Sequence, residues 1–410
     1  MTNTPSLLKK MRILDFTRVL SGPFATMMLG DLGAEVIKIE PPGGDESRFW
    51  PPIMENGVSA YFTALNRNKQ SLVLNLKKDR ARAIIMKLAG EADVVVENFT
   101  PGVVLKLGID YAAIQKVNPQ IIYCSISGFG QNGPLRDKKA YDPIIQGMTG
   151  LMSITGEKDG PPAKIGIPVT DLTAASHAVT AILAAYIHRL ENGTGQYIDV
   201  SLYDGVVSWL TIMAMDYFIT GKAPGRWGMD HIHRVPARAF MTADGRWVQV
   251  AATSDVMYAK FCQLLGLEEL IDDPRFATNN ARVRHRHEIA PRFEARMKTK
   301  TGEEWLRLFE AAGIPCGPIL DIAEVFAGPQ VEAREMRFTM PHPVENEIPQ
   351  LGFPYRFSSA SPSARLRPPL LGEHAQMVLN QYLAMDQATV QQLMADGVVG
   401  APQTVLNTGG

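Results

Sequence analysis

The sequence has few cysteines and no excess of charge of either sign. Its 410 residues include only three cysteines, Cys124, Cys262 and Cys316, which lie far apart and form no CxxC pair. This dispersed, odd-numbered set argues against a disulfide framework or a zinc site, so we expect a reducing compartment. Since 41 basic residues face 42 acidic ones, no overall field favours nucleic acid or an anionic membrane as a partner.

Long apolar runs are missing as well. No stretch of about 18 apolar residues occurs, and the N-terminal residues lead into Lys9 and Lys10 without the apolar segment of a signal peptide. We therefore expect a cytoplasmic protein without a membrane partner. The hydrophobic content of 46% is that of a globular chain, and domains of about 100 to 200 residues predict two of them in this length.

Short β-branched runs alternate with helical patterns over the first 150 residues. Predicted strands lie at Arg12–Phe16, Glu35–Glu40, Leu72–Leu76, Val94–Glu97 and Ile121–Ser125. Strands separated by helices favour a parallel sheet covered on both faces, so the expected fold class is α/β with a large Rossmann-like domain. Ligands of such sheets bind beyond the carboxyl ends of the strands.

The character of the chain changes twice after this region. We predict that residues 1–220 form most of a large α/β domain and that residues 221–330 form a small α+β domain. The smaller segment contains a hairpin with an Asp-Gly turn at Asp244-Gly245. Prolines are then dense from Pro341 onward, which suggests that residues 331–410 extend back to the large domain.

One isolated carboxylate stands out in the middle of the chain. Asp171 is the only formal charge between Lys164 and Arg189, and it precedes an alanine-rich helical pattern. Asp is a preferred N-cap residue, so capping of this helix is one interpretation. A carboxylate among small and apolar residues is also poorly solvated and becomes a better nucleophile or base, which is the other interpretation.

Other candidate sites have simpler explanations beside the functional ones. A set of lysines near predicted strand ends or loops is suited to binding phosphate, although scattered lysines are usually solvated: Lys38, Lys77, Lys78, Lys106, Lys138 and Lys139. Asn98 and Phe99 follow a predicted buried strand and offer an amide and an aromatic ring to a ligand. His231 and His233 have a metal-like spacing without a third ligand in the sequence, so we predict no metal site. The basic cluster at residues 282–287 spreads over several helix faces, which favours a solvated surface over a nucleic-acid site.

Several of these segments together resemble the class III coenzyme A transferases. This is the formyl-CoA transferase and carnitine CoA-transferase (CaiB/BaiF) family, which also contains the α-methylacyl-CoA racemases. The resemblance runs from about Met11 to His374. It is carried by Leu14–Pro23, Gly30–Glu40, Asn66–Lys69, Val96–Phe99, Gly128–Gly130 and Gly317-Pro318.

The resemblance implies an architecture and a site. Two chains, each with a small domain inserted between the parts of a large one, would interlock like rings in a homodimer. The family's catalytic aspartate falls on Asp171. Its CoA contacts fall on Val19, Leu74, Lys77, Asn98, Phe99, Lys106 and Lys138 or Lys139, with Lys38 as a further phosphate contact because Pro41 replaces a basic residue of some members.

The implied reaction is CoA transfer between carboxylic acids. Asp171 would form an aspartyl anhydride and then an aspartyl-CoA thioester, so acyl-CoA and a free acid are the expected partners and no permanently bound cofactor is needed. We expect dicarboxylic acids with succinyl-CoA as donor. Candidates for contact with the substrate are Arg67, Tyr141, Arg226 and Arg234.

Two alternatives stay open at the level of the sequence. The first is a 2-methylacyl-CoA racemase, which exchanges a proton at the α-carbon and needs a second acid/base residue for this. The chain has Tyr141 where racemases have histidine, and the pKa of tyrosine suits this proton exchange less well. The second is a non-catalytic subunit of a heteromeric transferase, in which Asp171 only caps its helix.

Overall fold

Strands and helices alternate through the first half of the computed structural model, which describes residues 6–403. The elements of this half are β1 (Arg12–Asp15), α1 (Ser21–Asp31), β2 (Glu35–Glu40), α2 (Ala60–Thr63), β3 (Lys69–Val73), α3 (Asp79–Gly90), β4 (Val94–Glu97), α4 (Val103–Leu107), α5 (Tyr111–Gln115), β5 (Ile122–Ser127), α6 (Asp142–Met148), α7 (Val169–Asn192) and β6 (Gln196–Ser201). The later elements are α8 (Leu202–Trp209), α9 (Thr211–Thr220), β7 (Ala237–Met241), β8 (Trp247–Ala251), α10 (Asp255–Leu265), α11 (Asn279–Arg284), α12 (Arg286–Met297), α13 (Gly302–Ala311), β9 (Cys316–Pro318), α14 (Ile322–Ala327), α15 (Pro329–Ala333), β10 (Arg337–His342), β11 (Asn346–Leu351), α16 (Ala375–Leu383) and α17 (Gln387–Ala395).

The first six strands form one parallel sheet in the order β3-β2-β1-β4-β5-β6. Leu14 of β1 is paired with Ile37 of β2 on one side and with Val95 of β4 on the other. The expected α/β class is therefore confirmed. The strand order reverses between β1 and β4, and a crevice at the carboxyl ends of two such strands is where doubly wound sheets bind ligands.

Apolar residues cover both faces of this sheet. One face packs against helices α3, α16 and α17 through a cluster that includes Leu14, Ile37 and Leu72. The other packs against α1 and α7 through residues such as Ile13, Val36 and Ala178. Because both faces are buried, the strands read as continuous Val, Ile and Leu runs rather than as alternating ones.

The chain divides into two compact units. The larger contains the residues up to Leu151, Ile165–Met215 and the residues from Glu332 onward. The smaller contains Met152–Lys164 and Asp216–Val331. The predicted segment 1–220 includes residues 1–5, and the predicted segment 331–410 includes residues 404–410. Both of these ends lie outside the described residues.

The smaller unit has its own sheet and core. Its strands β7, β8 and β9 form an antiparallel sheet, and a cluster of aromatic side chains fills the space between the sheet and its helices: Phe240, Phe261, Phe293, Trp305 and Phe309. In the larger unit, β10 and β11 form an antiparallel hairpin, and α16 packs on β3. Within residues 6–403, no helix combines the length and the apolar character that crossing a bilayer requires.

Candidate active site

A cavity of about 310 Å³ lies beyond the carboxyl ends of β1, β4 and β5, in the larger unit. We call it the Asp171 cavity, after the carboxylate in its wall. It brings together seven of the residues selected from the sequence: Val19, Asn98, Phe99, Lys138, Lys139, Tyr141 and Asp171. Residues that sequence reasoning missed line it as well, namely Arg18, Ser21, Ser127 and Arg136.

Asp171 is the third residue of α7 and is largely buried. Burial raises the pKa of its carboxyl to about 7, and the neighbouring Asp142 carboxylate adds to the increase. Hydrogen bonds from the hydroxyl and the backbone N–H of Ser21 act in the opposite direction. The result is a carboxylate that is poorly solvated and retains a substantial ionised fraction near neutral pH, as a nucleophile requires.

The helix-capping interpretation of Asp171 is wrong. Helix α7 begins at Val169, two residues before Asp171, and its N-cap position is Pro168, which makes no side-chain cap. The cap comes from another helix, because Oδ1 of Asp142 accepts a hydrogen bond from the backbone N–H of Thr170 at 3.0 Å. The other oxygen of Asp142 accepts from Nε2 of Gln146 at 2.8 Å. Asp171 therefore does not cap its helix, which was one of the two interpretations of the sequence.

A buried charge network fixes the loop that enters the cavity. Asp15, at the end of β1, lies 3.0 Å from the ammonium of Lys69 and accepts a hydrogen bond from Thr26 at 2.7 Å. Lys38 donates to the carbonyl of Thr17 at 2.8 Å. Charges buried this deeply are tolerated only when they are paired, so the network holds the loop in one conformation.

Val19 lies in this loop in a conformation that β-branched residues rarely adopt. Its φ is 67°, and its backbone N–H donates to Oδ1 of Asp45 at 3.3 Å. The loop also needs Gly22, since a Cβ at that position would lie 2.2 Å from Cγ2 of Thr17. Strained backbone of this kind is found where a site is preorganised.

A larger cavity of about 590 Å³ lies next to the first, and we call it the Leu74 cavity. Leu74 and Lys77 line it, as the resemblance implied for the nucleotide end of CoA. Arg18, Glu46 and Phe99 line both cavities, so the two adjoin at the Phe99 ring. The two cavities are therefore neighbours with three lining residues in common.

Five of the residues assigned to CoA or to the acid substrate lie outside both cavities. Lys38 is buried, and its ammonium is paired with Asp45 at 3.0 Å. Arg67 is buried, and Nε and Nη2 donate to Asp31 at 2.9 and 2.7 Å. Lys106 is exposed on α4.

The remaining two, Arg226 and Arg234, belong to the smaller unit. Arg226 donates to backbone carbonyls, including that of Gly160 at 2.6 Å, whereas Arg234 is exposed.

The cavity wall also contains a hydroxyl that is available to a ligand. Oγ of Ser127, at the end of β5, is buried and has no hydrogen-bond partner among the described residues. Such groups are rare in folded proteins because an unpaired buried hydroxyl costs free energy. No arrangement of three or more His, Cys, Asp or Glu side chains suited to a metal occurs within residues 6–403.

Comparisons with known proteins identify the family of this chain. The model of CoA-transferase family III matches residues 8–375. The succinyl-CoA:glutarate CoA-transferase of Mus musculus is 43% identical over 97% of this chain and 91% of its own length. The succinate–glutarate CoA-transferase of Agrobacterium fabrum is 41% identical over 92% of this chain and 96% of its own.

Solved structures give the same result. The crystal structure of a CaiB/BaiF family protein from Brucella suis has a TM-score of 0.82 and 39% identity, and the match covers 93% of this chain and 100% of the other. Family match, relatives and fold all point to one family. The chain belongs to CoA-transferase family III and is an enzyme of the CoA-transferase type.

Proposed function

We propose that this protein moves CoA from succinyl-CoA to a second dicarboxylic acid of the glutarate type. The observation that carries the proposal is the position of Asp171, a poorly solvated carboxylate in a cavity at the switch point of the sheet. The substrate class follows from the names of relatives that align with nearly the whole chain. The cavity suits anionic substrates, because Arg18, Arg136, Lys138 and Lys139 line it.

The acyl-CoA substrate occupies both cavities in this proposal. Its nucleotide lies in the Leu74 cavity near Lys77, and its pantetheine arm passes Phe99, so that the thioester reaches Asp171. Lys138 and Lys139 neutralise phosphate or carboxylate charge, and Val19 and Asn98 shape the passage. Lys38, Lys106 and Arg67 are left out of the proposed site. Arg226 and Arg234 stay predictions for contact with the acid substrate, as does Tyr141 in the cavity wall.

Transfer proceeds through covalent intermediates on Asp171. The carboxylate attacks the thioester carbonyl of succinyl-CoA, which gives a mixed anhydride and CoA thiolate. The thiolate attacks the Asp171 carbonyl and releases succinate, leaving an aspartyl-CoA thioester. The acceptor carboxylate then attacks this thioester, and the freed thiolate attacks the acceptor's own carbonyl in the new anhydride. The energy of the thioester is retained, provided that the cavity excludes water.

We also propose that two chains form the interlocked dimer that the family resemblance implies. Helices α8 and α9 expose large apolar side chains that are between 53% and 79% exposed: Trp209, Ile212 and Met215 in the larger unit, and Phe218 and Ile219 in the smaller unit. Exposed apolar side chains of this kind occur at interfaces between chains, and they support the proposal.

Turnover by the single purified chain tests the reaction. We expect succinyl-CoA and glutarate to give glutaryl-CoA and succinate, separated by chromatography, and Asp171→Asn to reduce kcat on the order of 10⁴-fold. Undiminished turnover by Asp171→Asn would defeat the proposal. Solvent deuterium entering the α-carbon of a 2-methylacyl-CoA would instead indicate a racemase. An inactive single chain that gains activity with another subunit would indicate a heteromeric enzyme.

A further inference from the structure

Ser21 contacts the proposed nucleophile through two donors. It is the first residue of α1 and is 4% exposed, it lines the same cavity as Asp171, and its hydroxyl and backbone N–H both stabilise the Asp171 carboxylate and lower its pKa. A backbone N–H in the first turn of a helix has no acceptor within that helix, so this one is free for the carboxylate. The positive end of the helix dipole lies at the same place.

The direction of the Ser21 hydroxyl is set by Asn98. The amide of Asn98 is fixed because Oδ1 accepts from the N–H of Arg18 at 2.9 Å and Nδ2 donates to the carbonyl of Arg18 at 2.8 Å. The second hydrogen of Nδ2 points to Oγ of Ser21 at 3.5 Å. Since a serine hydroxyl carries one proton, an oxygen that accepts from Asn98 is left to donate that proton to Asp171.

We propose that the hydroxyl and N–H of Ser21 form an oxyanion hole for the carbonyl group of acylated Asp171, with Asn98 as the residue that positions the hydroxyl. The inference rests on the proposed function, because it concerns the intermediates formed on Asp171. It assigns to Ser21 a catalytic role and to Asn98 a role other than lining the pantetheine passage.

The charge appears at a definite step. When the acceptor carboxylate attacks Cγ of the aspartyl-CoA thioester, a C–O bond forms and the carbonyl electron pair moves onto the Asp171 oxygen. That oxygen is an anion until the pair returns, the C–S bond breaks and CoA leaves as thiolate; no proton is transferred. Two fixed donors in the cavity wall stabilise this anion more than they stabilise the neutral carbonyl.

Graded variants of Ser21 test the hydroxyl. We expect Ser21→Ala to lower kcat by about ten- to a hundredfold with little change in KM for succinyl-CoA, since loss of one such donor has effects of about that size or larger. Ser21→Cys, similar in size but a weaker donor, should be intermediate. The acid limb of the pH profile should move to higher pH in Ser21→Ala, because the Asp171 carboxylate loses a stabilising hydrogen bond. Ser176→Ala, an exposed serine on α7 that bonds only to the carbonyl of Leu172, is the matched control.

A double-variant cycle tests the positioning by Asn98. If Asn98 acts through Ser21, Asn98→Ala should lower kcat severalfold in the parent chain and much less in the Ser21→Ala background. Additive losses would overturn the role of Asn98.

An unchanged kcat and an unchanged acid limb in a folded Ser21→Ala chain would overturn the oxyanion hole. A lower kcat for Ser21→Cys than for Ser21→Ala would also overturn the oxyanion hole. These outcomes are distinct from failure of the proposed function, because they leave Asp171→Asn inactive.

Discussion

At the scale of single residues, the proposed chemistry depends on two neighbouring carboxylates of the larger unit, those of Asp142 and Asp171. Asp142 is the more deeply buried of the two and is ordered by hydrogen bonds to the backbone of Thr170 and the side chain of Gln146. Its charge also contributes to the raised pKa of Asp171. One side chain therefore caps helix α7 and raises the pKa of the proposed nucleophile in its first turn.

The variant Asp142→Asn separates these two roles. The amide keeps an oxygen for the N–H of Thr170 but loses the charge, so the pKa of Asp171 should fall from about 7. Because Asp171 reacts as the carboxylate, kcat/KM rises with pH through this pKa, and the acid limb should move to lower pH in the variant. Profiles measured alongside Asp79→Asn, which changes an acid whose side chain is 91% exposed, provide the control. If the acid limb of Asp142→Asn stays in place or moves to higher pH, the charge of Asp142 does not raise the pKa of Asp171 in the way described.

Sequence reasoning found Asp171 but assigned the cap to the wrong residue. An isolated charge in an apolar segment is visible in the chain itself, whereas a cap supplied from α6 to α7 is a tertiary contact across 28 residues. For the same reason, Lys38 and Arg67 looked like candidates for ligand binding. Their carboxylate partners, Asp45 and Asp31, become apparent only once the strands are paired.

At the scale of elements, the sheet was largely predictable and the helix boundaries were less so. The β2 and β4 bounds agree with the sequence prediction because both strands are continuous β-branched or apolar runs. Strand β3 begins earlier than predicted, at Lys69, because that lysine is neutralised inside the core by Asp15.

Breaks within helical stretches are less visible in the sequence than the stretches themselves. The residues from Arg284 to Ala312 show helical patterns, and the structure contains two helices there, α12 and α13, with Thr301 capping the second. The proline-rich tail includes the β10–β11 hairpin, which the sequence pattern did not indicate, and Pro341 and Pro349 fit there because each strand is paired on one side.

The contact between β1 and β3 through Lys69 and Asp15 should be essential to the larger unit. Lys69→Met leaves Asp15 buried without its cation, which should cost about 3–5 kcal/mol of unfolding free energy. The measurement is urea denaturation, with Arg80→Ala as control because Arg80 and its partner Asp396 are much more exposed. The double variant Asp15→Leu with Lys69→Met should recover part of the loss. A cost no greater than that of Arg80→Ala would contradict the account of the network.

At the scale of the whole molecule, the exposed apolar side chains on α8 and α9 support the proposed dimer. Light scattering should give twice the chain mass of 45.0 kDa across the micromolar range. Substituting Phe218 and Ile219 with Glu should weaken association, because both side chains are more than 70% exposed in the single chain and would carry charge into the interface. A monomeric parent chain with full activity would rule out the dimer.

The class of reaction and the fold follow from features spread over the whole chain, and for that reason the sequence was enough to identify the family. The details of the site depend on which side chains the fold brings together. Ser21 lies in a segment that carries the family resemblance but was given no role there, and Ser127 and Arg136 have no distinctive signal of their own, since serine and arginine are common in loops. Their place in the cavity wall results from the convergence of β1, β4 and β5 at one edge of the sheet.

The central claim is that Asp171 carries the acyl and CoA groups during transfer. The most direct test is to mix the purified chain with succinyl-CoA, add hydroxylamine or borohydride, and locate the modification by mass spectrometry of its peptides. We predict a hydroxamate or a reduced alcohol at Asp171, formed only when succinyl-CoA is present and absent from Asp171→Asn. A modification at another residue, or an unmodified Asp171 in a chain that turns over normally, would contradict the account.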